Sequence, residues 1–202
     1  MKQLVIIGAS GHGKVVADIA KQCGYEQISF LDDNATANVC GGYPVVGKCS
    51  DFAEYDCDLF VAIGNPLIRE KFLKMLLNAG KRIPVLIHPH ASVAASASID
   101  VGTVVVAGAV VNPDAVIGKG CIINTCSSVD HDCVLGDYVH VAVGAHVAGT
   151  VQIGDRTWIG AGATVSNNVS ICPDCMISAG AVVVKDICEK GTYIGVPARM
   201  MK

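Results

Sequence analysis

A regular pattern of aliphatic residues runs through SSVDHDCVLGDYVHVAVGAHVAGTVQI, residues 127–153. Its aliphatic residues return every six positions, at Val129, Leu135, Val141, Val147 and Ile153. The same spacing continues over sixteen positions from 93 to 183, and every one of them is Val, Ile or Leu. A small or β-branched residue stands two places before each. This period indicates hexapeptide repeats, in which three hexads form one coil of a triangular parallel β-helix.

The repeat assigns an inside and an outside to each residue. The aliphatic and small positions point inward and stack in successive coils about 4.8 Å apart. Cys121, Cys133 and Cys175 occupy small positions, so we expect them to be core residues.

The same register places the histidines. His131 and Asp132 fall at a corner of the prism, whereas His140 and His146 each precede an inward position and should point outward. Trp158 follows His140 by one full coil and should stack above it on the same side.

Composition excludes several functions. The chain has 202 residues, of which 51% are hydrophobic, yet the longest apolar run, residues 104–111, is too short to cross a membrane. A net charge of -3 gives no basic surface for nucleic acid. The N-terminus carries no signal-peptide pattern, and the ten cysteines have no framework spacing, so we expect free thiols in the cytoplasm. The only CxxC, at 172–175, lacks the second pair of a zinc ribbon.

The first half of the chain alternates strands and helices. A second helix should be capped by Asn65, begin with Pro66 and close at Gly80. The other predicted elements are strands at 3–7, 27–31, 58–63 and 83–87 and a helix at 14–23. This alternation predicts a small parallel sheet, so the expected organisation is an α/β Rossmann-like domain at 1–87 followed by a β-helix domain with a C-terminal tail at 88–202.

Two polar features are candidates for function. A carboxylate beside His131 would raise its basicity and fix its tautomer, although a corner histidine is also a common solvated turn residue. Asp130 gains no role from the sequence.

Flat apolar prism sides favour a symmetric trimer, in which His131 of one subunit would meet His140 or His146 of the next.

The glycine turn GASGHG, residues 8–13, follows a strand and opens a helix. Its N–H groups suit a pyrophosphate, or it serves only as a tight connection. The order GxxGxG differs from GxGxxG and disfavours NAD. Asp32 and Asp33 either bind a ligand or end a strand in solvent.

Five motifs carry a resemblance to a known family: GASGHG at 8–13, LDD at 31–33, AIGN at 62–65, the block at 124–149, and GTYIGVPARM at 191–200. In this order, over the whole chain, they resemble the bacterial sugar O- and N-acetyltransferases typified by sialic acid O-acetyltransferase and UDP-N-acetylbacillosamine N-acetyltransferase. The resemblance implies a left-handed β-helix, an exception to the usual right-handed crossover. It also implies a homotrimer that binds acetyl-CoA between adjacent β-helices, and an N-terminal domain that binds a nucleotide sugar.

The resemblance also implies roles for individual residues. His131 would be the general base and Asp132 the acid that strengthens it. Arg199, near the C-terminus, could bind a CoA phosphate or be a surface arginine. The other acetyl-CoA contacts implied are His140, Ala161 and Ala179. The implied substrate contacts are Ser10, Gly11, His12, Asp32, Asp33 and Gly64.

The expected function is therefore direct acetyl transfer from acetyl-CoA to a sugar, with no metal, and the favoured acceptor is the amine of a UDP-4-amino-4,6-dideoxy sugar. O-acetylation of a sialic acid is the alternative. A zinc lyase of γ-carbonic-anhydrase type would need three histidines at a subunit interface, which His131, His140 and His146 could imitate. A non-catalytic nucleotide-sugar sensor is the fourth possibility.

Overall fold

A computed structural model of the protein describes residues 1–34 and 38–201. The chain divides into two compact units, Met1–Pro89 and His90–Lys202. No helix in the described ranges is both long enough and apolar enough to span a bilayer.

The first unit is an α/β fold, as the alternating pattern predicts. Its sheet has the order β3-β4-β2-β1-β5, in which only the β3–β4 pair is antiparallel. Strand β1 lies at the centre of the buried core, because Leu4, Val5, Ile6 and Ile7 are all inaccessible to solvent. The elements are β1 Gln3–Ile7, α1 Gly11–Gln22, β2 Gln27–Leu31, β3 Val39–Cys40, β4 Tyr43–Gly47, a 3-10 helix at Cys49–Glu54, β5 Asp58–Val61, α2 Pro66–Asn78 and β6 Leu86–Ile87.

The boundaries correct several predictions. Helix α1 begins at Gly11, so the second half of the glycine turn is already its first turn. The predicted strand 83–87 is reduced to its last two residues, because Pro84 has no N–H to donate to a ladder. The sequence pattern also missed the β3–β4 hairpin and the 3-10 helix.

The predicted cap of α2 is confirmed. The Asn65 side chain accepts hydrogen bonds from the N–H groups of Leu67 (3.0 Å) and Ile68 (3.2 Å), and Pro66 is the first helical residue. Gly80 follows the helix with a φ of 65°, a conformation that glycine adopts without strain.

The second unit is the parallel β-helix that the six-residue period predicts. Its sixteen two-residue strands each end on one of the sixteen aliphatic positions, and they stack into three parallel sheets with an 18-residue register. A hairpin of β23 (Thr192–Ile194) and β24 (Arg199–Met200) follows. The sixteen are β7 Ser92–Val93, β8 Ser98–Ile99, β9 Val104–Val105, β10 Val110–Val111, β11 Val116–Ile117, β12 Ile122–Ile123, β13 Ser128–Val129, β14 Val134–Leu135, β15 His140–Val141, β16 His146–Val147, β17 Gln152–Ile153, β18 Trp158–Ile159, β19 Thr164–Val165, β20 Ser170–Ile171, β21 Met176–Ile177 and β22 Val182–Val183.

The prism interior is apolar, and its corners share one conformation. Cys121, Cys133 and Cys175 lie in the buried core, as predicted. Every sixth residue from 102 to 180 lies in the left-handed region, with φ between 54° and 71°. Six of these fourteen corner residues are glycine, which adopts that region freely, and the others include Asp114, Asp132 and Asp174.

Candidate functional site

The corner between β13 and β14 brings a histidine and a carboxylate into direct contact. Asp132 occupies the left-handed position, with φ 58°, immediately after His131. Its Oδ2 lies 2.7 Å from Nδ1 of His131, so no bridging water is needed. The two side chains are 57% and 58% exposed, which leaves the pair open to a ligand.

This contact fixes the chemistry of the ring. An ionised carboxylate can only accept, so Nδ1 carries the proton and Nε2 presents a lone pair. The hydrogen bond to Asp132 raises the pKa of His131, and the charges of Asp130 and Asp132 act in the same direction. A neutral imidazole with Nε2 free to accept a proton is the form that a general base requires.

Asp130 holds the backbone of this histidine. Its Oδ1 accepts hydrogen bonds from the N–H of His131 and from Nδ2 of Asn112, both at 2.8 Å. These two donors keep the pKa of Asp130 below its usual range, the His131 N–H contributing most. Asn112 lies one coil earlier, and this 18-residue spacing is the sequence signal that could have identified the pair.

The structure corrects the expected setting of His140. This residue does occupy an outward strand position, yet it is only 7% exposed, because its ring packs on Trp158 with centroids 4.2 Å apart. Its Nε2 lies 3.1 Å from Nδ2 of Asn124. The stacking of Trp158 one coil above is confirmed by the β15–β18 register.

His146 has a different environment. It is exposed, and its Nδ1 lies 2.9 Å from the Ser128 hydroxyl of the preceding coil. Within the described ranges, no three His, Cys, Asp or Glu side chains are grouped closely enough to hold a metal ion.

The remaining residues predicted to contact acetyl-CoA lie in the later coils. Ala161 and Ala179 are exposed, and the backbone of these turns is linked by a 2.9 Å bond from the Gly180 N–H to the Ala161 carbonyl. Both alanines directly precede a glycine corner, so these two turns carry only small side chains. Arg199 is exposed on β24 and donates to the Ala198 carbonyl at 2.8 Å.

A cavity of about 470 Å³ in the first unit gathers most of the predicted substrate contacts. Ser10, Asp32, Asp33 and Gly64 line it, whereas Gly11 and His12 are not among its lining residues. Sequence reasoning missed several other lining residues, which come from the turns after β2 and β5, from the start of the 3-10 helix and from one side of α2. These are Asn34, Cys49, Ile63, Ile68, Lys71 and Phe72.

The aspartates of this cavity shape its wall. Asp32 accepts hydrogen bonds from the backbone N–H groups of Ala9 and Asn34, each at 2.7 Å. Asp33 accepts from the Cys49 N–H at 2.9 Å. The carboxylates therefore hold the glycine turn and the chain after β2 against each other. Lys71 brings a positive charge to the same cavity.

His12, which belongs to the glycine turn, is a largely buried and neutral histidine. Burial, and then the charge of Arg69, lower the pKa of His12 to about 4. Its Nε2 has no hydrogen-bond partner within the described part of the chain. The Arg69 side chain is itself buried and donates to the carbonyls of Ile63 (2.8 Å) and Gly64 (2.7 Å), so it sets the shape of the AIGN turn.

Two family models match the chain. Residues 3–76 match the PglD N-terminal domain, and residues 150–185 match the bacterial transferase hexapeptide (six repeats). An uncharacterized protein of Acanthamoeba polyphaga mimivirus is 35% identical over 74 residues, which is 36% of this chain and only 15% of that protein.

Solved structures match over the full length. The acetyltransferase domain of PglB from Neisseria gonorrhoeae, in complex with acetyl coenzyme A, is 41% identical, with a TM-score of 0.96 over 99% of both chains. A histidine-to-asparagine mutant of perosamine N-acetyltransferase from Caulobacter crescentus, in complex with CoA and GDP-perosamine, is 37% identical, with a TM-score of 0.95 over 100% of this chain and 98% of that one. WeeI from Acinetobacter baumannii is 30% identical, with a TM-score of 0.92 over the whole of both chains.

Proposed function

Because the chain belongs to the hexapeptide-repeat sugar acetyltransferases, with their left-handed β-helix, we propose that it transfers the acetyl group of acetyl-CoA to the amine of a nucleotide-linked sugar. The observation that carries this proposal is the His131–Asp132 pair, with its 2.7 Å contact and two side chains that are more than half exposed. The relatives with bound acetyl coenzyme A, and with bound CoA and GDP-perosamine, support the two substrates.

The reaction is a direct transfer. The acceptor nitrogen attacks the thioester carbonyl carbon, a C–N bond forms, and the C–S bond breaks to release CoA. Nε2 of His131 takes the proton that the nitrogen loses, and Asp132 stabilises the imidazolium that results. A positioned base of this kind contributes about 10²–10⁴-fold to the rate.

Each unit has its own part in the proposal. We assign the nucleotide sugar to the cavity of the N-terminal domain, residues 1–87, where Lys71 and the N–H groups of the glycine turn suit a diphosphate. Ser10, Asp32, Asp33 and Gly64 line this cavity and are the assigned substrate contacts. Gly11 and His12 follow Ser10 in the same glycine turn and complete the assigned set. Acetyl-CoA is assigned to the β-helix domain, at His140, Ala161, Ala179 and Arg199. A homotrimer in the cytoplasm completes the proposal, and the ten free cysteines suit that reducing compartment.

Among acceptors we favour a UDP-4-amino-4,6-dideoxy sugar. The test follows thiol release from acetyl-CoA with UDP-linked amino sugars, GDP-linked amino sugars and free sialic acid as separate acceptors. Turnover with the UDP-linked sugar alone is expected. Turnover with sialic acid alone would replace N-acetylation by O-acetylation, and sugar binding without thiol release would make the protein a sensor.

The role of His131 needs a matched control. We expect His131→Ala to lose about 10²–10⁴-fold in kcat. His90→Ala, which removes an exposed histidine at the start of the same unit, should stay near the wild-type rate. Equal activity of the His131 variant and wild type would refute the general-base assignment. Sedimentation at several concentrations tests the trimer separately.

A further inference from the structure

Gly149 lies one coil after His131, at the same position of the turn. The two turns are joined by a 2.9 Å hydrogen bond from the Thr150 N–H to the His131 carbonyl. A Cβ placed on Gly149 would lie 2.6 Å from Nε2, 2.7 Å from Cε1 and 3.2 Å from Cδ2 of His131. The imidazole therefore lies across the next coil, with its reactive edge directly over this glycine.

The backbone of Gly149 does not itself require glycine. Its φ lies outside the left-handed region, which is occupied instead by the following residue, Thr150, at 60°. An alanine at 149 is thus permitted by the main chain, and the three atoms nearest to its Cβ all belong to the ring of His131. The close approach, rather than a turn conformation, explains the glycine.

We propose that Gly149 is a positioning residue for the base: its missing side chain lets the His131 ring reach Asp132 through Nδ1 while Nε2 stays open to the acceptor. This inference rests on the proposed function. Gly149 acts through His131 and needs no contact with either substrate.

The ring cannot move aside without losing a partner. Nδ1 is 2.7 Å from Asp132, the His131 N–H is bound by Asp130 at 2.8 Å, and the His131 carbonyl is bound by Thr150. Asp132 is held in turn by a 3.1 Å bond from its N–H to the Pro113 carbonyl. The backbone is therefore fixed on both sides of the ring, and relief of the clash requires a side-chain rotation that breaks the Asp132 contact. Asp130 and Asp132 are the charged groups that act on this ring.

The experiment is a double-mutant cycle with Gly149→Ala and His131→Ala. In the protein that keeps His131, the Gly149→Ala substitution should lower kcat by about 10²-fold, which is the loss expected when a catalytic group is misplaced by roughly 1 Å. The acid limb of the kcat/KM profile should also move to lower pH, because the Asp132 contact that raises the pKa is lost. In the His131→Ala background, where the ring is gone, the alanine should change neither the residual rate nor the thermal unfolding midpoint.

A matched control is Asn167→Ala, which is exposed at the same turn position one coil beyond Gly149 and should leave kcat and the pH profile unchanged. Equal losses from Gly149→Ala in both backgrounds, or an unmoved acid limb, would overturn the inference and leave only a structural role.

A second readout does not depend on turnover. The titration of the His131 Cε1 proton by NMR should report a lower pKa in Gly149→Ala than in wild type. If the two titrations differ in this way but wild type releases no thiol with any sugar, the proposed function fails while the positioning role of Gly149 holds. If wild type is active and the two titrations coincide, the positioning fails alone.

Discussion

The pH dependence of turnover provides the sharpest test of the His131–Asp132 pair. His131 must be neutral to accept a proton, so kcat/KM should rise with pH through the pKa of this residue. Because the hydrogen bond to Asp132 raises that pKa, the half-maximal point of wild type should lie above about 6.5, the ordinary value for histidine. Removal of the carboxylate in Asp132→Asn should move this point to lower pH.

The size of the effect follows from the geometry. The 2.7 Å contact is direct, and loss of it leaves a weaker base whose tautomer is no longer fixed, since an amide can donate to Nδ1 as well as accept. Both side chains are more than half exposed, so water and salt screen the charges. We therefore expect a loss of about 10-fold at the high-pH plateau, well below the roughly 10²–10⁴-fold value of a complete base. The loss should shrink toward low pH, where the variant keeps more neutral imidazole than wild type.

The assay measures kcat/KM from thiol release between pH 5.5 and 9, a range that extends at least about one pH unit on either side of the ordinary histidine pKa. Asp132→Gly is the control for the corner, because glycine already occupies six of the fourteen left-handed positions. Both variants should shift the acid limb alike and remain folded. An acid limb that stays in place, or moves to higher pH, would refute the contact as the source of basicity.

Three further outcomes follow from the packing. Val141→Ala removes two methyl groups from a fully buried position of the prism and should cost about 2–3 kcal/mol in urea unfolding, whereas Val93→Ala, at a half-buried end position, should cost less than about 1 kcal/mol. Asn65→Ala removes the acceptor of two helix N–H groups and should destabilise the N-terminal unit by about 1 kcal/mol, measured by hydrogen exchange of α2. His140→Ala should shift the emission of Trp158 to longer wavelength, because the indole loses the ring 4.2 Å away and gains water.

The β-helix could be predicted almost residue by residue, because its geometry is local. Each hexad must point one aliphatic residue inward, and the 18-residue register then fixes which residues stack. The sixteen strands therefore fall where the period placed them, and the three inward cysteines are buried. The α/β class of the first unit was predictable for a similar reason, since strand–helix alternation leaves few topologies.

The other features of the structure depend on tertiary contacts, which a repeating sequence pattern does not encode. His140 is outward by register and yet buried, because exposure is decided by neighbours such as Trp158 rather than by the direction of the strand. The cavity of the first unit shows the same limit. Its glycine turn is visible in the sequence, whereas Lys71 and Phe72 reach it only through the way α2 packs on the sheet. The burial of Arg69 and the low pKa of His12 are likewise tertiary effects.

The His131–Asp132 pair results from the geometry of the corner at which it lies. From residue 102 to 180, each corner of the prism places one residue in the left-handed region, where most side chains are disfavoured, and glycine is therefore frequent there. Aspartate and asparagine are the side chains that tolerate this conformation best, because they are short and polar. A carboxylate directly after the histidine is thus the acid that this corner accommodates with least strain, and the 2.7 Å contact follows without any insertion in the repeat. The one additional requirement is space for the ring over the next coil, and Gly149 provides it.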